Sequence, residues 1–201
     1  NTLLNLLVLL LKTTKGDYGL QPTEAGWTDS DGDGIRDRDG ERIILETILM
    51  GWGYIPEVGQ MMQDQLKRVG VGMETRELTF SNAMGDVAEG SYDLVPFLFS
   101  SSDPDIIRTT FHSSNVEGGF NWSKFSDSQL DAWLEAGTQE MEEASRQEIY
   151  ARIQQYVMDE AIIIPVRDYV NLNAAHADVQ NLRYDRQGWF PWLYEVTIAE
   201  N

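Results

Sequence analysis

The chain has 201 residues, 42% of them hydrophobic, enough to bury a core as one domain or as one lobe of a larger protein. Its 15 basic and 33 acidic side chains give a formal charge of −18, which argues against nucleic acid or an anionic membrane as partner, since phosphates are held by clustered Lys and Arg. There is no cysteine, and His112 and His176 are the only histidines, so disulfides and thiolate chemistry are excluded, while a serine-hydrolase triad or a histidine-rich metal site has little to draw on.

Leu3 to Leu11 is apolar apart from Asn5. Spanning a bilayer takes roughly 20 such residues, and neither a basic leader nor a small-residue cleavage site is visible, so the run reads as a buried helix. The stretch from Trp27 to Glu41 then places five aspartates between Asp29 and Asp39. Asp29, Asp31, Asp33, Gly34 and Asp37 fit a calcium-loop template, with oxygen donors at alternate residues and a glycine at the sharp turn. Gly40 breaks the template where a bidentate Glu belongs, and Glu41 comes one residue late. Two readings stand. One is a solvated acidic turn. The other is a structural calcium site with Asp29, Asp31, Asp33, Asp37 and Glu41 as ligands, which resembles a single thrombospondin-type or dockerin-type repeat.

Beyond the loop, strand and helix alternate. Ile43–Met50 predicts a buried strand ended by Gly51-Trp52-Gly53-Tyr54. Pro56 opens a helix whose Val58, Met62, Leu66 and Val69 share a face and which Gly70 stops. Val71, Met73 and Thr75 alternate as in a half-buried strand. Phe80, Met84 and Val87 fall at helical spacing before Gly90, and Tyr92–Phe99 predicts another strand, with Pro96 hinting at an edge. This β-α-β-α-β order implies parallel strands with helices packed on them. Further on, Ser126–Gln129 has the pattern of a capping box, with Leu130, Trp133 and Leu134 on the buried side. Glu142–Glu160 reads as a longer helix, Ile162–Val166 as a short buried strand, and Tyr169–Ala174 as another. The aromatic and β-branched stretch Trp189–Ile198 closes the chain. No internal repeat and no low-complexity linker is visible, so residues 1–201 read as one compact α/β unit in which residues 1–22 are unplaced.

Several segments, in this order, resemble the family 5 extracellular solute-binding proteins of ABC transporters, the oligopeptide/dipeptide/nickel-binding group. They are Glu24–Trp27 with Asp31–Ile35, Gln65–Val71, Gly90–Leu94, Asp103-Pro104-Asp105, Phe111–Ser114, Phe125–Asp127 with Leu130-Asp131, Ile163–Val166 and Gly188–Phe190. The resemblance covers roughly residues 24–190. It implies an α/β lobe of the type II periplasmic-binding-protein kind, a mostly parallel sheet flanked by helices, forming the carboxyl-terminal part of a longer two-lobed protein. By the same likeness the setting is periplasmic or cell-surface, no cofactor is required and no covalent chemistry is performed. The partners are a peptide or other small solute, the missing amino-terminal lobe and a membrane permease.

In such a lobe ligand groups are expected at the strand ends that face the cleft. Those ends carry Trp52 and Tyr54, then Phe99, Ser100, Ser101 and Asp103, with Asn121 and Trp122 as a third candidate cluster. Peptide-binding relatives place an aspartate three residues before the Asp-Pro pair to hold the peptide's ammonium group; Ser100 occupies that position here. A hydroxyl cannot replace that charge, so peptides with a free amino terminus recede unless Asp103 or Asp105 takes over. Two further classes compete. A calcium-dependent structural or adhesion module would show repeated acidic loops. A glycosidase would show a paired-carboxylate spacing, and none stands out among the acids.

Overall fold

A computed structural model describes residues 26–166, 171–186 and 188–199. The Leu3–Leu11 run lies outside them, as do Glu24, Ala25, Tyr169 and Val170. The acidic loop is held to the body by its apolar residues, since Trp27 and Ile35 are buried. Arg38 lies over the Trp27 ring, 4.5 Å from its centroid. The loop folds back through two short antiparallel strands, β1 (Asp37–Arg38) and β2 (Glu41–Arg42).

The apolar run that follows becomes β3 (Ile44–Met50), and α1 (Ile55–Arg68) returns the chain to β4 (Gly72–Leu78). The two strands are parallel and in register from Ile44 opposite Gly72 to Met50 opposite Leu78. This long parallel ladder, with helices against it, is the expected α/β arrangement. On the other side of β3, Leu94 makes a parallel bridge to Thr47. Ile48 N–H donates to Leu94 O at 3.0 Å and Leu94 N–H to Glu46 O at 3.1 Å.

The expected Tyr92–Phe99 strand stops there. Pro96 has no N–H to continue a ladder, so the segment runs past the end of β3 as irregular backbone. With a neighbour on each side, β3 supplies core residues to both faces: Ile48, Leu49 and Met50 pack with Ile55, Ala83 and Val87, while Leu45 packs with Ile43, Val71 and Trp27.

Punctuation residues end and begin the helices as the sequence predicts. Gly70 follows α1 with φ +82°, a conformation glycine adopts without strain, and a Cβ there would lie 2.6 Å from Arg36 Cγ. Arg36 Nε donates to Val69 O at 3.0 Å, so its side chain closes the helix end. In α2 (Phe80–Glu89) the Thr79 side chain caps the first turn by accepting the Asn82 N–H, and Gly90 terminates it in the left-handed region. Thr79→Ala is expected to lower stability by about 1 kcal/mol with an unchanged denaturant slope, measured by urea unfolding.

The second half is helical: α3 (Ile106–Phe111), a 3₁₀ turn at Ser113–Asn115, α4 (Ser128–Gln139) and α5 (Glu143–Asp159). Phe111, Leu130, Leu134, Tyr150, Ile153, Val157 and Ile162 form its core. The cap of α4 is Asp127 rather than Ser126: its carboxylate accepts the N–H groups of Gln129 (2.9 Å) and Leu130 (2.8 Å). The expected Ile162–Val166 strand does not form. Ile162 fills the helical core, but Ile163 and Val166 are exposed, and no strand among the described residues runs beside them. Two short antiparallel ladders close the described chain. They pair β5 (Val179–Gln180) with β8 (Thr197–Ile198), and β6 (Arg183–Tyr184) with β7 (Pro191–Trp192). No helix among the described residues is long and apolar enough to cross a membrane.

Candidate functional site

Because β3, β4 and the Leu94 segment run parallel, their carboxyl ends reach the same edge of the sheet. β3 delivers Gly51 and Trp52, β4 delivers Thr79 and Phe80, and the third segment delivers Phe97 and Phe99. Phe97 is the hub of the rings gathered there. Its centroid lies 6.1 Å from Trp52, 6.2 Å from Phe80, 4.9 Å from Phe99, 6.4 Å from Phe120 and 4.7 Å from Trp122. Most of these contacts are edge-on or tilted, the arrangement that brings positive ring edges to negative ring faces. Trp52, Phe80 and Phe120 stay 38%, 45% and 36% exposed. An open hollow of about 350 Å³ is lined by Gly51, Trp52, Thr79 and Phe80, at the small end of the range for ligand pockets.

The structure therefore brings together Trp52, Phe99 and Trp122 of the candidates named from sequence, and adds Phe80, Phe97 and Phe120. Trp122 presents ring surface only, because its indole N–H donates to Gly119 O at 3.2 Å. Tyr92 fixes that loop from below, its hydroxyl donating to Trp122 O at 2.6 Å, and burial raises the Tyr92 pKa. Asn121 is turned inward and fully buried. Its amide nitrogen faces the carbonyl oxygens of Phe111 (3.2 Å), His112 (3.2 Å) and Phe125 (2.9 Å), and its oxygen accepts from Ser123 Oγ. Tyr54 sits at the N-cap position of α1, exposed.

Ser100 and Ser101 follow Phe99 in an exposed loop, where Ser101 Oγ accepts the Asp103 N–H at 3.1 Å. Asp103 itself serves the helical half: Arg146 Nη2 donates to it at 2.8 Å and the Asp105 N–H at 2.9 Å. Asp105 accepts from Thr138 Oγ1 at 2.7 Å and Tyr150 Oη at 3.2 Å and pairs with Arg108.

The acidic loop lies at the opposite end of the sheet, beside Ile43 and Gly70, where Arg36 N–H donates to Gly70 O at 2.8 Å. A seven-residue strand puts roughly 20 Å between it and the aromatic edge. One carboxylate oxygen from each of Asp29, Asp31 and Asp33 lies within 4.8 Å of the others. These carboxylates also accept the loop's own N–H groups: Asp29 takes those of Gly32 and Gly34, Asp31 that of Asp33, and Asp33 that of Ile35. Asp33 also pairs with Arg42 at 2.5 Å. Asp37 is turned to the Ser30 hydroxyl and N–H, and Glu41 stands exposed on β2.

Three carboxylates are held below their ordinary values of 3.8 for Asp and 4.5 for Glu. For Asp37 the cause is the hydrogen bonds from Ser30, for Asp103 the Asp105 N–H and then Arg146, and for Glu142 the N–H groups of Ser145 and Ala144. A folded value below the unfolded one contributes stability that is present above the ordinary range and lost as pH falls through the lower folded value. Thermal midpoints followed from about pH 6 to about pH 3 are expected to fall most steeply below the ordinary values. Asp103→Asn is expected to flatten that decline. An equal slope in the variant would show that the Asp103 carboxylate, with its contacts to the Asp105 N–H and Arg146, carries none of it.

The described chain is an α/β arrangement with a ring-lined hollow at the carboxyl edge of its parallel strands. No protein-family model matches the chain. It is 28% identical over 112 residues to the oligopeptide-binding protein AppA of Bacillus subtilis, a match that takes in 54% of this chain and 20% of that protein. The solved structure of AppA in complex with a nonapeptide superposes with a TM-score of 0.60 at 24% identity, over 70% of this chain and 28% of that one. An ABC transporter substrate-binding protein from Sinorhizobium meliloti gives a TM-score of 0.65 at 21% identity, over 89% and 36%. A periplasmic oligopeptide-binding protein of Thermotoga maritima with bound mannohexaose gives 0.62 at 18%, over 72% and 29%.

The chain is thus similar in sequence to an oligopeptide-binding protein of the family 5 extracellular solute-binding group, and it has the fold of a type II periplasmic binding protein. It spans about a fifth of its curated relative and about a third of the solved ones. The proteins of that family are periplasmic or extracellular, and these relatives are substrate-binding transport proteins. The calcium-module alternative finds no support among them.

Proposed function

We propose that residues 1–201 are one α/β lobe of an ABC-transporter solute-binding protein, and that its solute is taken up against the aromatic edge formed by Trp52, Phe80, Phe97, Phe99, Phe120 and Trp122. The observation that carries this reading is the convergence of three parallel segments on one exposed group of rings, at the end of the sheet where α/β folds hold ligands. The lobe acts with a second lobe from a longer protein: the solute bridges the two, stabilises the closed form, and the permease recognises that form. The function is differential affinity without turnover, so no catalytic residue is assigned.

The cargo is not set by the fold, since relatives of this fold hold a nonapeptide in one case and mannohexaose in another. The residues narrow it. Ser100 carries no charge, and Asp103 and Asp105 are committed to Arg146 and Arg108. A free peptide ammonium therefore finds no counter-charge at this turn.

Thermal unfolding of the chain with a panel of oligosaccharides, short peptides and nickel–histidine tests the reading, because a ligand that binds only the native state raises its stability. The expected result is a raised midpoint with at least one solute, recovered chemically unchanged afterwards. A flat response to the whole panel, or conversion of a solute into product, would contradict it.

A further inference from the structure

Few polar atoms around the ring-lined hollow are free. The Trp122 indole N–H is given to Gly119 O and the Asn121 amide is enclosed, while Thr79 Oγ1 accepts the Asn82 N–H and keeps its own O–H to donate. Asp103 and Asp105 are held by Arg146, Thr138 and Tyr150. What stays open is the exposed surface of Trp52, Phe80 and Phe120, all centred 6.1–6.4 Å from Phe97. Three rings around one hub make a strip broader than a single six-membered ring.

The rim of that strip is not bare. Ser100 and Ser101 bring exposed hydroxyls directly after Phe99. Glu77, exposed on β4, reaches Gly51: a Cβ at Gly51 would lie 2.8 Å from Glu77 Oε1, so the carboxylate sits against the glycine in this structure.

We propose, resting on the reading above, that the solute is a neutral oligosaccharide. A sugar ring has a flat C–H face and an equatorial girdle of hydroxyls. The C–H face, weakly positive, suits the negative faces of Trp52, Phe80 and Phe120. The hydroxyls then fall at the rim, donating to Glu77 and exchanging hydrogen bonds with Ser100 and Ser101. A purely apolar solute would leave that rim unused. A solute fixed by a full charge would find the turn acids neutralised, and would have to rely on Glu77 alone at an exposed position, where a single ion pair contributes little. The breadth of the strip favours more than one sugar unit.

The test is thermal unfolding of the 201-residue chain with cellotetraose or mannotetraose against tetraalanine, each at about 10 mM, about ten times the ~1 mM affinity expected of one lobe. A tetrasaccharide is expected to raise the midpoint by about 3–5 °C and tetraalanine to leave it unchanged. Trp52→Ala and Phe80→Ala each remove the response to the sugar, while Asp29→Asn, at the far end of the sheet, keeps it. A response to tetraalanine and not to sugar, abolished in Glu77→Gln, would overturn the inference and leave the solute-binding reading standing. A response to neither would overturn both.

Discussion

Phe97→Ala is expected to cost about 2–3 kcal/mol of folding stability and to remove the response to any solute that the chain binds. Phe97 is half-buried, so the loss of ring volume falls below the full range for a core phenylalanine. That figure already includes the loss of its five ring–ring contacts, which are shared with partly exposed partners. The functional consequence is larger than the energetic one. Trp52, Phe80 and Phe120 come from three separate parts of the chain, and Phe97 is the ring that all three touch. Without it they have no shared support, and Trp52 and Phe80, which line the hollow beside Gly51, lose the ring between them. Urea unfolding measures the first effect and a ligand-dependent thermal midpoint the second. Full retention of ligand response in a folded Phe97→Ala chain would show that the rings act separately.

Asn121→Ala is expected to cost about 3 kcal/mol or more. The amide lies with no exposed surface and faces the carbonyls of Phe111, His112 and Phe125 while accepting from Ser123. Removing it strands several buried polar groups at once, and each stranded group costs about 1–3 kcal/mol. Asn121→Leu fares no better despite filling the space: His112 O keeps the Asn115 N–H, but Phe111 O and Phe125 O lose the amide. The residue ties the Gly119–Phe125 loop to the end of α3, and so places Phe120 and Trp122 against Phe97 from outside. Denaturant unfolding of both variants measures this; a loss below about 1 kcal/mol would mean that water replaces the amide.

The parts of the fold that the sequence makes visible are those with strong local signals. Ile43–Met50 is apolar apart from Glu46 and Thr47, enough to mark a mostly buried strand, and Pro56, Gly70 and Gly90 mark helix ends through their own backbone preferences. Tertiary effects decided the rest. Tyr92–Phe99 has the composition of a strand, yet Pro96 limits it to one bridge. Ile162–Val166 is apolar, but no strand among the described residues lies beside it. At the aromatic edge, the strand-end rule applied to β3 points to Trp52, which the structure places in the ring cluster. The same rule applied to β4 would have found Phe80, whose helical spacing with Met84 and Val87 made it look like core. Asn121 was expected to face the solute, and no pattern in the sequence distinguishes an exposed amide from one that closes a loop. The alternating acids of Asp29–Asp37 were legible as a loop, but not that Asp37 turns to Ser30 and Asp33 to Arg42.

Hydrogen exchange of the chain with and without a stabilising solute tests directly whether the aromatic edge holds the solute. New protection is expected at residues 51–54, 79–80, 97–101 and 119–122, with the acidic loop at 29–41 unchanged. Protection confined to the acidic loop or to the ladders at 179–198, with the aromatic edge exchanging as before, would contradict it.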